Sequence, residues 1–377
     1  MSAPDQDVVA RLRAELHESL DTISFSDQSI SFADRSIAPP QRYVAAFVRG
    51  RRRRSTRWAV ATAVVLVAVA GVVAVTRNHR NAVPAAPTEP QTFTVIQTLA
   101  TGEQTPAALA AGGSWLFATS WDTGRLLRLD PLTLRTTATL QVGTVRNSAV
   151  SIAYGADAVW LLNFADGNLW RVDPNTMTAT LKVPLPAEAS EVAFGHGAVW
   201  VTLCCTSTTT ANRQRLLRLD AATGAITGSV VVAGEGETVA LSVGQHVVVA
   251  SQNGPILVID PLTLKVQRSM ADPCDCGDVP GIAEGAHGLY VSSLTSLLRY
   301  DTTGRQTATT DLIGNVSPIG AHSDSVWLAQ DDQLLRLDPV SLAVTGRAPI
   351  AAVGHVSELG SSIYVSVAGA VDKLGPP

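Results

Sequence analysis

Glu191, Glu237, Asp278 and Glu358, with His355 close to the last, are the residues of this 377-residue chain best suited to binding chemistry. Each falls near the start of a different copy of an internal repeat, so the fold must bring them together. Carboxylates gathered at one opening repel one another unless a cation or basic group neutralises them. The set therefore points to a cation, a basic ligand or the basic patch of another protein; the competing reading is solvated loop charge. Four other histidines, His196, His246, His287 and His322, recur in short turns such as GHG and GAHG, a placement the repeat itself produces. The chain carries no nucleophile elbow, no phosphate-cradling glycine loop and no HExxH. No catalytic residue, cofactor or metal site is assigned.

The thiols read Cys204-Cys205 and Cys274-x-Cys276. Neither spacing suits a C-x₂₋₄-C zinc site or a C-x-x-C redox pair. All four lie on the same side of the apolar segment described below, and an even set confined there suits an oxidising compartment. Disulfides are expected, with a metal site or free thiols as alternatives.

The elements that must position these residues are visible as a repeat. An aromatic or branched residue on a short apolar strand recurs at Trp115, Trp160, Trp200, Val249, Tyr290, Trp327 and Tyr364, at intervals of 45, 40, 49, 41, 37 and 37 residues. A second strand ending in aspartate follows six of them, as in LLRLD at 126–130 and LWRVD at 169–173. Several continue Asp-Pro-x-Thr, which suits a type I turn closing a hairpin. A Thr/Val-rich strand comes next, such as TTATLQV at 136–142. A period near 40 residues holding four short strands is a propeller blade. Seven repeats predict an all-β, seven-bladed β-propeller over 92–377. The last blade lacks its outer strand, and the strand FTVIQTL at 93–99 is expected to supply it and close the ring.

The repeats resemble YncE-like and streptogramin-lyase-like propellers, most clearly at residues 195–201 (GHGAVWV) and 168–173 (NLWRVD). That resemblance implies a propeller and, as an alternative to a binding domain, an extracytoplasmic lyase. Streptogramin lyases use clustered histidine and glutamate with magnesium on one face, and here His355 with Glu358 falls short of such a cluster. With strands lettered A (inner) to D (outer), the D–A and B–C connections share one face. The five candidates are expected there, and so are the cysteine loops at 204–215 and 274–276.

Upstream, residues 58–75 read WAVATAVVLVAVAGVVAV, uncharged over eighteen residues. At about 1.5 Å per residue these cover roughly 27 Å, close to a hydrocarbon core. Seven arginines (42, 49, 51–54 and 57) precede them, and only Arg77 and Arg80 follow closely. The positive-inside rule then places a single-pass transmembrane helix at 58–76, the N-terminus cytoplasmic and the propeller outside. The alternative is a cleaved signal peptide with an unusually long leader. The arginine run either orients the anchor or also holds anionic lipid headgroups, at about 1 kcal/mol per basic residue. In the tail, 1–57, Val8, Val9, Leu12, Leu16, Leu20 and Ile23 form one stripe at helical spacing. Such a helix over 6–23 cannot bury its own stripe, so it docks on a cytoplasmic protein, lies on the membrane or stays partly unfolded. The layout is similar to actinobacterial membrane-bound regulators of sigma factors, without their His/Cys zinc motif. Residues 77–91 form a Pro-rich linker. A net charge of −4 gives no field for nucleic acid.

Taken together, the sequence predicts a membrane-anchored, non-catalytic propeller that binds a protein or small molecule. Disulfides between the Cys204/Cys205 and Cys274/Cys276 loops would close a loop of about 70 residues, contributing roughly 4 kcal/mol. Non-reducing peptide mapping of exported protein should recover the cross-linked pair; four alkylatable thiols would exclude it.

Overall fold

The computed structural model describes residues 89–375, apart from the loop segments 102–107, 121–122, 144–148, 165, 204–213, 233–238, 252–253, 272–280, 294, 313–315, 322–323 and 352. The expected tail, the apolar segment and most of the linker lie outside the described residues, as do the four cysteines, Glu237 and Asp278. Every element among the described residues is a strand, and none is a helix long and apolar enough to cross a membrane.

The strands form seven antiparallel meanders, one per repeat. Blade three is representative, with A at Ala189–Gly195, B at Ala198–Leu203, C at Arg215–Asp220 and D at Ile226–Val231. Strand B is buried along its whole length, because neighbouring blades cover both of its faces. That environment selects unbroken apolar runs such as AVWVTL rather than alternation. Strand D is the outer edge, with an alternating exposed and half-buried pattern that also suits the Thr-rich outer strands of blades one and five.

Ring closure follows the sequence expectation. Blade seven takes strands A to C from the C-terminus (His355–Leu359, Ser362–Val367, Ala370–Gly375). Its strand D is Thr94–Ala100, paired antiparallel with Ala370–Gly375. One feature goes beyond the expectation. Gln91–Thr92 adds a fifth strand to blade six, parallel to its outer strand Val344–Ala348, with Gln91 opposite Gly346 and Thr92 opposite Arg347. Between the two strands, Phe93 is buried, donates its N–H to Arg347 O at 2.7 Å and meets Trp327 edge-on at 5.3 Å. The N-terminal segment therefore straps blade six to blade seven.

Seven apolar clusters hold the ring, one at each blade junction. The large residues at the repeated position (Trp160, Trp200, Tyr290, Trp327 and Tyr364) are at most 1 % exposed. In blade one the equivalent core residue is Phe117, not Trp115. Trp115 is only half-buried and lies under the Arg128 guanidinium, 4.4 Å from its ring centre. Residues two apart on a strand face the same way, so the pattern alone did not separate the pair. The glycine ending strand A is also explained. A Cβ at Gly112 would collide with the Tyr154 ring of the next blade, and one at Gly155 with Phe194. Blades one to three thus each seat a larger residue of the next blade against bare backbone.

Polar clasps complete the junctions at the C–D turns. Asp130 Oδ1 accepts the N–H groups of Leu132 and Thr133 at 2.8 Å, and Asp173, Asp220, Asp260 and Asp338 repeat the arrangement. The preceding blade then grips the turn's carbonyls. Arg128 donates to Pro174 O at 3.0 Å, Tyr290 and Arg299 to Pro339 O at 2.8 and 3.2 Å, and Tyr364 and Lys373 to Pro131 O at 2.7 and 2.8 Å. Arg128 and Arg299, the motif arginines of blades one and five, are therefore inter-blade ties, whereas Arg171 and Arg336 bond within their own blades.

Phe93→Ala should lower stability by about 3–5 kcal/mol, as large buried aromatic truncations do. Thr94→Ala, at an exposed position of the same segment, should stay within about 0.5 kcal/mol. Chemical denaturation of the two variants checks this; equal midpoints would mean that the strap carries no load.

Candidate binding face

Strand alternation sorts the connections of every blade onto two faces. The D–A and B–C loops share one, and the tight A–B and C–D turns share the other. Inner strands contact one another in sequence around the whole ring, so their starts converge on the loop-bearing face.

His355 starts strand A of blade seven at that face. His355 is exposed at the mouth of the ring. Desolvation by the neighbouring inner strands disfavours the imidazolium and pushes the pKa down to about 4. Its backbone N–H donates to Ser366 Oγ at 2.8 Å.

Glu191 is the third residue of strand A in blade three, and it is part-buried. Its Oε2 accepts the N–H of Leu241, on the inner strand of blade four, at 3.0 Å. Burial pushes its pKa up to about 7, against the opposing effect of that N–H. Ser151 and Ser242 do the same work at neighbouring junctions, accepting the N–H groups of Val192 (3.1 Å) and Glu284 (2.8 Å). Glu191 is thus a junction clasp as well as a channel-side carboxylate.

Glu358 is not at the loop-bearing opening. It pairs with Ile363 beside the A–B turn, at the other end of the strand from His355. Its Oε1 accepts the Trp327 indole N–H at 2.7 Å and the Ser325 hydroxyl at 3.2 Å. The sequence placed both residues in one loop because five-residue strands leave little room for error; strand A begins at His355 rather than after it. The structure brings together neither Glu358 and His355 nor, among the described residues, any group of three or more His, Cys, Asp or Glu placed to hold a metal.

A second polar arrangement was not anticipated from the sequence. Glu284 accepts both the backbone N–H and the ring Nδ1 side of His246, each at 2.7 Å, across the junction of blades four and five. His196 Nε2 lies 2.9 Å from Gly244 O across the preceding junction. His196 and His246 therefore bridge blades. The signal lay in Glu284, which takes the position filled by Tyr154 and Phe194 in earlier repeats. Beside the Glu284–His246 pair, a cleft of about 170 Å³ is lined by Arg268, His287 and Asp301.

No protein-family model matches the chain, and no curated protein matches it significantly. Among solved structures, it is similar to the crystal structure of BamB from Moraxella catarrhalis, with a TM-score of 0.52 at 14 % identity, covering 75 % of this chain and 99 % of that one. At that identity the likeness is one of fold.

The shifted groups set opposite pH dependences. Glu191 is raised above its unfolded value, so its contribution is most favourable below about pH 4.5 and is lost as pH rises through about 7. His355 is lowered, so its contribution holds above its unfolded value of about 6.5 and is lost as pH falls towards about 4. The turn carboxylates, lowered chiefly by backbone and side-chain donors, stabilise above about pH 4 and less so below. Glu191→Gln keeps an acceptor for Leu241 and removes the titration. Its thermal midpoint relative to the parent should rise between about pH 5 and pH 8. A pH-independent difference would show that Glu191 is not held protonated by burial.

Proposed function

We propose that the propeller is a non-catalytic binding domain, held outside the cytoplasm by a single membrane span at 58–76. Its loop-bearing face takes a basic ligand or the basic patch of a protein. The observation carrying this reading is the asymmetry of the two faces. One face is closed by tight, aspartate-capped turns, while the other collects the longer connections. Those connections contain Glu103, Glu188, Glu235, Glu237, Asp275 and Asp278, with Arg146 among few basic residues. Acidic loops around a shared axis focus a negative potential on whatever approaches it. His355, neutral near pH 7 because of its lowered pKa, leaves that field uncompensated at the inner edge.

The anchor reading is supported by the uncharged run at 58–75 and the arginine imbalance across it. On this reading the arginines also contact lipid headgroups, and the helix expected at 6–23 is free to engage a cytoplasmic protein. The chain then joins an outer binding event to an inner partner. A disulfide between the cysteine loops would stiffen the binding face.

The test uses the full chain in spheroplasts, with Glu237→Gln and Asp278→Asn introduced together. A basic peptide such as oligolysine should be captured by the parent and lost by the variant, and added protease should remove the propeller while sparing an N-terminal tag. Unchanged capture would remove the acidic face from the reading; loss of the tag would reverse the topology.

A further inference from the structure

We infer that the turn-bearing face lies against a lipid surface, touching it with Leu132, Leu262 and Val340. The inference rests on the membrane-anchor reading and adds to it which face meets the bilayer. Two independent observations carry it.

The first is the direction in which the chain arrives. Gln91–Thr92 runs parallel to the outer strand of blade six, Val344–Ala348. That strand begins at the 338–343 turn, so Glu89 and Pro90 lie towards the turn end of the blade. Only fifteen residues, 76–90, separate this point from the apolar run. Fully extended they reach at most about 50 Å. A tether that joins at the turn end of the rim reaches a bilayer most directly when the turns face it. With the loops facing the bilayer, the tether would first have to climb the side of the ring.

The second is what that face presents. Leu132, Leu262 and Val340 occupy the same position of the C–D turn in blades one, four and six, and they are 78 %, 73 % and 50 % exposed. In blades two, three and five the equivalent residues are Asn175, Ala222 and Thr303. The apolar tips are rigid. Aspartates 130, 260 and 338 each accept the tip residue's own N–H, at 2.8, 2.9 and 3.0 Å. In blades one and six the preceding carbonyl is also held by tyrosine and a basic side chain of the neighbouring blade. Blades one, four and six leave no gap wider than three blades, so the tips form a tripod able to rest on a flat surface. Three separate tips suit a lipid interface, which accepts isolated apolar side chains at one depth, better than a protein groove, which needs a contiguous patch.

The full-length chain, reconstituted in vesicles of phosphatidylethanolamine and phosphatidylglycerol, provides the test. A benzophenone amino acid replaces Leu132, Leu262 or Val340 in turn, or Asp332 in the B–C turn of blade six on the opposite face. After irradiation, lipid adducts should form at 132, 262 and 340 and not at 332. Flotation of the same samples after carbonate washing reports the anchor separately. Chain that does not float overturns the anchor reading and this inference with it. Chain that floats with no lipid adduct at the three tips, with adducts at 332 instead, or with adducts to protein, overturns the orientation alone.

Discussion

Each blade of this propeller buries one face of its sheet against the next, and no blade can bury both faces without two neighbours. This requirement governs the rest of the structure. It places an apolar cluster at each of seven junctions. It also explains why the second strand is largely buried and apolar, why strand A of blades one to three ends in glycine, and why Arg128 and Arg299 reach sideways. A ring built this way has no terminal repeat to cap, but its last junction must be closed by chain from both termini.

The strap at residues 91–100 answers that requirement twice. The outer strand of blade seven closes the sheet, and Phe93 with the short parallel strand extends the hold to blade six. Any force applied through the upstream chain thus enters the fold at its closing junction.

Polar groups near the axis serve the junctions before they serve a ligand. Glu191, Ser151 and Ser242 each capture a backbone N–H of the next inner strand, and Glu284 and Glu358 grip a histidine and a tryptophan across their junctions. A buried carboxylate is costly unless donors meet it, and in a ring of strands the nearest donors belong to the neighbouring blade.

The period near 40 residues, the Asp-Pro turns and the unpaired strand at 93–99 were enough to determine seven blades and the way the ring closes, because these features are local in sequence or repeated along it. The phase within a strand was less secure: Trp115 and Phe117 face the same way, and only packing against the neighbouring blade selected Phe117 as the core residue. The placement of His355 and Glu358 needed the structure for a related reason. They are three residues apart, yet a short strand carries them to opposite ends of a blade. The clasps of Glu191, Glu284, Arg128 and Arg299 were likewise not legible, since each partner lies about 40 to 50 residues away and is chosen by the rotation between blades. Local residue patterns set the strands, turns and blade number; the angle between neighbouring sheets decided which polar groups meet.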